Sequence, residues 1–577
     1  MPNTWGNAPR RLGLPAGLCG LALLLVIVAP SATAAATTLD GAPIPRGALV
    51  TDARLYSTLL GGSASSESAK AVAVDAQSNT YVAGVTWSPD FPVTPGAYDT
   101  TLDGAGPDAF VVQFDPAGNL VFATFLGGSG AEDARGIAID AAGNILIVGG
   151  TDSVDFPTTA GALGPSPSGN EDMFLAKLSP AGDVLLYGTY LGGRALELAY
   201  GVAVDASGAA YISGVTNSTD FPATPGALDT SYDDSDLGCQ RHGGCWDSAV
   251  AKVSPDGTHL EYATYLGGEL YDVARAIRVD PYGDAIISGE SSCPTFPATP
   301  GAFRSKETGG PDVFVAKLDP MGTSLVYSSC FGGLDSDQGW GLDVDPSGSA
   351  YVTGRTFSRD FPTTPGAFNN TFGMNYSADV FVAKLTPSGT ALAYSSLIAG
   401  NDSDYGQAIA VDANGTAWVT GWTYSADFPV TSNAIDPTFN ADRDLFVLRL
   451  GWNGAKVLES TFIGGDSGDF GWAIAVGPGG TVSAVGETWS SDFPVTPGAF
   501  DTTPGGLDAF LLRITPAEVV DDSSLWVSAS PWTFANQGVP AIGNGRDDEE
   551  PSIGPQGSRP SSAVGCPAAS ASAVTRC

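Results

Sequence analysis

Histidine is nearly absent: the chain has two, His242 and His259, in 577 residues. Chemistry that needs an imidazole general base therefore has little to draw on, because one lies in a Gly-rich insertion and the other begins a strand-like run. Basic residues are also few, with Lys and Arg totalling 25 against 62 Asp and Glu, a formal net charge of −37. Such a surface repels nucleic acid and anionic membranes and leaves cations, cationic surfaces or neutral ligands such as glycans as partners, with solubility alone as the plainer reading. Beyond residue 34 no apolar run is long enough to span a bilayer. Also missing are the Cys/His spacing of a zinc site, the Asp-x-Asp-x-Asp-Gly spacing of a calcium loop and the Ser-x-Asp-x-Gly-x-x-Thr-Trp box of sialidases.

The ends of the chain differ from its middle. Arg10 and Arg11 precede an apolar run from Leu12 to Val28, and Pro30-Ser31-Ala32-Thr33-Ala34 follows with small residues. This reads as a signal peptide over residues 1–34, cleaved after Ala34 or Ala36, and predicts a secreted or cell-surface, extracytoplasmic protein. Cys19 lies too deep in the apolar run to serve as a lipoprotein cysteine. Residues 35–53 read as a linker, and residues 517–577, rich in Gly, Pro, Ser and Ala, as a disordered tail. An exported chain meets oxidising conditions, so its cysteines are candidates for pairing. Cys239 and Cys245 sit close together in DLGCQRHGGCWDS, and Cys293 and Cys330 each interrupt a repeated pattern within one and the same repeat. Two disulfides, Cys239–Cys245 and Cys293–Cys330, are expected; Cys566 and Cys577 fall in the tail.

What the chain has in abundance is repetition. DFPVTPGA stands at residues 90–97 and again at 492–499, and relaxed versions begin at Asp155, Asp220, Thr295, Asp360 and Asp427. Measured between the phenylalanines (Phe91, Phe156, Phe221, Phe296, Phe361, Phe428, Phe493), the spacings are 65, 65, 75, 65, 67 and 65 residues. The long interval holds the Cys239–Cys245 insertion. Each unit carries four β-type runs, as in RGIAID, GNILIVGGT, EDMFLAKL and VLLYGTYLGG. The first two are joined by turns such as Asp140–Asn144, Asp205–Ala209 and Asp345–Ser349, and the last two by x-Pro-x-Gly turns at residues 115–118, 254–257 and 319–322. The middle connection is a loop of roughly 20 residues, long enough to need its own packing or a function. Seven such units predict an all-β, seven-bladed β-propeller of four-stranded antiparallel blades over residues 54–516. A linear solenoid is the rival, but it would need capping repeats. RLYSTLLGG, from Arg54 to Gly62, is instead a fourth strand with nothing before it, while the last unit lacks a fourth strand. The N-terminal strand is expected to complete the last blade.

The pattern GIAVD-x-x-GN-x-YVAG-x-T-x-S-x-DFP-x-TPGAF, then DAFVAKLDP-x-G, then YSTYLGG, resembles the bacterial SBBP family of β-propeller repeats across about Arg54 to Ile514. The resemblance implies the propeller fold and an exported or surface setting. It implies no common activity.

Three sets of residues are candidates for function. Six units leave the second strand through Thr-x-Ser-x-Asp, a motif that can bond local backbone while the Phe plugs the blade and the Pro sets the exit angle; a repeated ligand site is the sharper reading. In all seven units an acid recurs eight residues before the end of the innermost strand, where an outer strand returns to the next inner one: Glu67, Glu132, Glu197, Asp272, Asp337, Asp404 and Asp469. Circling one mouth of a central channel, these carboxylates would favour a cation, calcium being the natural hard partner, or else each caps backbone beside its Gly-Gly turn. Thirdly, the residue between Thr and Ser runs Trp87, Asp152, Asn217, Ser292, Phe357, Tyr424 and Trp489, so circular closure makes an aromatic arc of units five, six, seven and one. Trp340 and Trp472 hold a further equivalent position just before the inner strands, with Tyr405 and Phe470 nearby. Exposed aromatics suit sugar rings, whereas packing of the long loops is the bland alternative. The expected function is a non-catalytic, monomeric propeller, with no required cofactor, that binds a glycan or protein on its loop face. The alternative is an extracellular glycan lyase or hydrolase using the channel carboxylates.

Overall fold

A computed structural model describes residues 52–63, 66–232, 246–293, 295–304, 309–373, 377–440 and 442–517. The expected signal peptide, residues 35–51 of the linker, the Cys239–Cys245 pair and the tail beyond residue 517 lie outside them. The strands sort into seven four-stranded antiparallel sheets. Blade one is β2 (Glu67–Val74), β3 (Thr80–Thr86), β4 (Asp108–Phe114) and β5 (Leu120–Leu126). Blade two is β6 (Glu132–Ile139), β7 (Ile145–Thr151), β8 (Asp172–Leu178) and β9 (Leu185–Leu191), and blade three is β10 (Glu197–Val204), β11 (Ala210–Thr216), β12 (Asp247–Val253) and β13 (Leu260–Leu266). Blade four is β14 (Asp272–Val279), β15 (Ala285–Ser291), β16 (Asp312–Leu318) and β17 (Leu325–Phe331). Blade five is β18 (Asp337–Val344), β19 (Ala350–Thr356), β20 (Asp379–Leu385) and β21 (Leu392–Ile398). Blade six is β22 (Asp404–Val411), β23 (Ala417–Thr423), β24 (Asp444–Leu450) and β25 (Val457–Ile463). Blade seven joins β26 (Asp469–Val476), β27 (Val482–Thr488) and β28 (Asp508–Ile514) to β1 (Leu55–Leu60), which pairs antiparallel with β28 from Leu55↔Ile514 to Leu60↔Ala509. The first strand of each blade packs against the first strands of both neighbours, and β2 meets β26, so the ring is closed. Among the described residues there is no α-helix, and no helix is long and apolar enough to cross a membrane.

Burial on both faces explains why the third strands read as unbroken apolar runs: all seven residues of DAFVVQF and DMFLAKL are buried. Each core lies between two blades, as where Val111 and Leu126 of blade one pack with Ile147, Phe174 and Ala176 of blade two. The inner hairpins close as their sequences demand. Asp140 Oδ1 accepts from the amides of Ala142 and Asn144, both at 2.9 Å, and Gly143 takes φ 84°.

The long middle loop covers the outer edge of its own blade, where an uncovered fourth strand would invite pairing with another chain. In blade one Phe91 is buried and lies 4.7 Å from the Phe110 ring. Beyond it the Thr94 amide donates to Ala123 O of β5 at 2.9 Å, and Phe125 N donates to Asp99 O at 3.1 Å. Tyr98 N then donates to Gly182 O in the outer hairpin of blade two at 2.9 Å, stitching neighbouring blades together. The second copy of DFPVTPGA does the same for the closing strand: Thr496 N donates to Ser57 O of β1 at 2.9 Å. The repeated octapeptide is thus an edge guard, and in blade one the residue that follows it is an inter-blade stitch. All seven FP phenylalanines are buried, and Phe221 turns to Tyr265 because its blade has Ala249 where the other six have Phe.

Blade four departs from the motif with a covalent substitute. Cys293 stands where other blades have the serine of Thr-x-Ser, and Cys330 stands on the fourth strand where blades two and three have Tyr190 and Tyr265. Those tyrosines donate to Ser153 O and Ser218 O at 2.8 and 2.7 Å. In blade four a Cys293–Cys330 disulfide, Cα–Cα 6.0 Å, joins the two positions directly. One boundary also differs from expectation. The innermost strands begin at the acids themselves, which places Trp340 and Trp472 inside β18 and β26 rather than before them.

Candidate functional site

Every innermost strand has one β-bulge, and it always falls at the same place. The register shifts between Ala69 and Ala71, Ala134 and Gly136, Ala199 and Gly201, Ala274 and Ala276, Gly339 and Gly341, Gly406 and Ala408, and Gly471 and Ala473. A bulge leaves one residue unpaired and re-aims its side chain. The residues so released are Lys70, Arg135, Tyr200, Arg275, Trp340, Gln407 and Trp472, and all seven line one cavity of about 550 Å³ along the axis of the ring. In a chain so acidic, this lining carries Lys70, Arg135, Arg275 and Arg278 and a single acid, Asp133.

The lining divides into two arcs. On blades two to four Tyr200 lies between two guanidinium groups, Arg135 at 5.0 Å and Arg275 at 4.7 Å from its ring. Each of those arginines has a carboxylate partner, Asp133 at 2.8 Å and Glu290 at 2.7 Å. On blades five to seven the lining rings are Trp340, Trp422 and Trp472, with Tyr405 and Phe470 packed against them. Trp340 stacks on Tyr405 with centroids 6.4 Å apart and planes 8° off parallel, Tyr405 stacks on Trp422 at 5.1 Å, and Trp422 meets Phe470 and Trp472 edge-on at 5.2 and 5.3 Å. Tyr424 joins through Tyr405 at 6.2 Å, and Phe357 joins through Arg355, whose guanidinium lies over Phe357, Trp340 and Tyr405. All of these rings are half-buried. Lys70 closes the circle, 4.0 Å over Trp472 and 3.5 Å from Glu487.

Of the six aromatic candidates, then, Trp340, Tyr424 and Trp472 belong to one ring network and Phe357 touches it through an arginine. Trp87 and Trp489 stand apart on the loop face, 49% and 53% exposed, and neither ring meets another. The sequence reading missed Trp422, Arg355 and the bulge series. The bulge series had a legible mark, because in all seven units the residue three after the acid is flanked on both sides by Ala or Gly. Those small neighbours make room where the inner strands crowd the axis. Trp422 had none, since it reads as one more apolar residue of a second strand.

The seven acids do not line the cavity. Glu67, Glu132, Glu197, Asp272, Asp337, Asp404 and Asp469 are fully buried at the head of the innermost strands. In blade two Glu132 accepts from the Gly128 amide at 3.0 Å and from Thr151 Oγ1 at 2.5 Å; Glu197 does likewise with Gly193 and Thr216, at 3.0 and 2.7 Å. The same Thr Oγ1 also accepts from the amide of the motif serine, as Thr151 does from Ser153 at 3.0 Å. The motif serine and aspartate in turn accept from the returning Gly-Gly loop: Gly130 N donates to Ser153 Oγ at 2.7 Å and Ser129 N to Asp155 Oδ1 at 2.8 Å. Thr-x-Ser-x-Asp and the acid together clamp the crossover between blades. Among the described residues no three His, Cys, Asp or Glu side chains gather as a metal site would require.

A second buried acid faces each of these caps. Asp108, Asp172, Asp379 and Asp508 head third strands, and a Cβ built on Gly127 would meet Glu132 Oε2 at 2.6 Å and Asp108 Oδ1 at 2.7 Å. On Gly61 it would meet Asp508 Oδ1 at 2.7 Å and Glu67 Oε2 at 2.9 Å. Only a residue without a side chain fits between two such carboxylates. The Oδ1 atoms of Asp108, Asp172 and Asp379 are buried with no hydrogen-bond donor. Burial, with a smaller contribution from the neighbouring carboxylate, pushes Asp108 and Asp404 up to about 7, and burial pushes Asp379 up to about 6.

Fold and cavity together define a seven-bladed β-propeller with a cationic and aromatic axial channel. The SBBP family, described as a beta-propeller repeat, matches residues 55–92 and 121–157. No curated protein matches the chain. Solved structures similar to it include a protein of unknown function from Dyadobacter fermentans DSM 18053, at 9% identity and TM-score 0.36, covering 80% of this chain and 100% of that one. Quinohemoprotein alcohol dehydrogenase from Comamonas testosteroni has 9% identity and TM-score 0.36 over 85% of this chain and 81% of its own. The Dos1 propeller has 9% identity and TM-score 0.38 over 79% and 95%. At those scores the likenesses say nothing of what this chain does.

Proposed function

We propose that this is an exported, non-catalytic propeller that binds a glycan at its axial channel and the adjoining loop face. The observation that carries the reading is the continuous network of half-buried rings formed by Trp340, Tyr405, Trp422, Phe470 and Trp472, of which the three tryptophans line the cavity. Flat rings offered edge-on and face-on at the cavity match the apolar faces of sugar rings, while the polar belt of Arg and Lys beside them suits hydroxyl groups. The Cys293–Cys330 disulfide supports an oxidising, extracytoplasmic setting. The seven caps are buried and already hydrogen-bonded, an arrangement that favours a structural role for them over hydrolysis or elimination at the channel. Retention of the purified chain on immobilised polysaccharides, with soluble products assayed alongside, tests the reading. Retention that is lost in Trp340→Ala and Trp422→Ala without product release is the expected result; released oligosaccharides would point to an extracellular lyase or hydrolase, and retention on a protein ligand alone would move the reading to protein recognition.

A further inference from the structure

Carboxylates outnumber basic groups in this chain by more than two to one, so an arginine left without one is informative. Along the channel the cations are paired: Lys70 with Glu487, Arg135 with Asp133, Arg275 with Glu290, and Arg278 with Asp343 at 3.0 Å. Two arginines of the aromatic wall are not. Arg355 donates through Nε to Gln338 Oε1 at 2.6 Å and lies over Trp340, Tyr405 and Phe357, with no carboxylate bonded to it. Arg443 donates through Nη1 to Tyr424 Oη at 2.9 Å, lies 4.5 Å over Phe470, and has a buried Nε with no acceptor. Both are half-buried. Burial lowers the Arg355 pKa, and the Glu290 carboxylate, already bonded to Arg275, offsets this only in part, the signature of a positive charge taken from water without a full counter-charge. The two are linked by ring contacts, Arg355 to Tyr405, Tyr405 to Tyr424, and Tyr424 to Arg443.

From this placement we infer that the ligand is an acidic glycan, whose ring carboxylates bond Arg355 and Arg443 while the sugar faces stack on the aromatic wall between them. The inference rests on the glycan-binding reading above and adds the charge. A planar guanidinium held by aromatic faces presents its remaining N–H groups as a fork, and a carboxylate accepts two of them side by side. A neutral sugar would leave both arginines as they are, half-buried with no carboxylate bonded to them, whereas a uronic acid residue at each would supply that anion. The acidic outer surface then works against non-specific uptake of polyanions, so that only a chain threaded to the arginines gains from its charge.

Polygalacturonate and its fully methyl-esterified form share one backbone and differ in charge, so binding of both to the full chain, by calorimetry at low and at physiological salt, is the test. We expect the acid form to bind more tightly than the ester by about tenfold or more, with Arg355→Gln and Arg443→Gln each erasing that difference. Arg355→Lys keeps the charge but loses the fork and should retain only part of it; the thermal midpoint of each variant shows whether it folds. Equal binding of acid and ester, unchanged by the arginine variants, overturns the charge inference and leaves the glycan reading intact. Binding of poly-glutamate but of neither polysaccharide overturns both.

Discussion

At the scale of single residues the exposed and the half-buried aromatics have separable roles. Trp87 and Trp489 make no ring contacts and are about half exposed, so replacing both with Ala should change stability by no more than about 0.5 kcal/mol each, while weakening any ligand that extends over the loop face. Trp422 sits among four other rings, and Trp422→Ala should cost roughly 3 kcal/mol or more of stability along with ligand retention. Melting curves read beside retention separate the two cases. Cys293 and Cys330 can be tested in the same way: reduction, or Cys293→Ser, should lower the melting temperature, because it unties the FP segment of the one blade that lacks the hydroxyl clamp. Trp87, Phe357, Tyr424 and Trp489 read as a single arc in the sequence, yet they divide. The residue between Thr and Ser marks a place on the loop face, and it takes the inner-strand bulge to aim a ring at the axis. Strict alternation of side chains hides a bulge, which is why Arg135, Tyr200 and Arg275 drew no attention while the tryptophans at the same position did.

At the scale of elements, the junction between blades is governed by its carboxylate pairs. Asp108 faces Glu132, Asp172 faces Glu197 and Asp379 faces Asp404, and among the described residues no lysine or arginine is bonded to any of the six. Two carboxylates so close and so dry cannot both hold a negative charge, so each pair needs one positive charge, and a proton is the smallest that fits. Folded-state pKa values near 6 to 7 stand above the unfolded value of about 4. The native state therefore binds more protons, so the stabilisation is fully present below about pH 4 and is lost as pH rises through 6 to 7. The expected measurement is a melting temperature that falls between pH 5 and pH 8. A curve that rises over that range refutes the shared proton. Calcium, the cation expected from the sequence, would supply the same charge, and its mark would be a thermal upshift at pH 8 that vanishes at pH 5. Gly127→Ala puts a methyl group 2.6 Å from Glu132 Oε2 and should destabilise by about 1–3 kcal/mol. The first acid of each pair was evident from its regular place, but its partner was not, because Asp108 and its equivalents look like ordinary loop-ending residues until the blades are brought together.

At the scale of the whole molecule, blade count, strand order and closure were legible because repetition overdetermines them: seven phenylalanines at near-constant spacing, turn residues at fixed offsets, and one fourth strand out of place at the start. Closure makes β1 as necessary as any internal strand. Removing residues 52–62 strips β28 of its outer partner and leaves its edge bare, so the truncated chain should melt at lower temperature and with a broader transition, measured by calorimetry.

The pairing of β1 with β28 also has a meaning in time. Leu55 leaves the ribosome before any blade exists, and its partner Ile514 is made more than four hundred residues later. Six blades can form one after another as the chain lengthens, but the seventh waits, its outermost strand made first and used last. Until then β1 is an unpaired apolar strand at the head of a growing chain. Final closure must bring together the most distant contacts the fold contains, which sets the slowest step of folding by chain length rather than by local preference. A permuted chain that starts at residue 66 and carries residues 52–63 after residue 517 turns that contact into a hairpin-range one. It should refold faster than the parent while melting at nearly the same temperature, and equal refolding rates would show that some other step limits the ring.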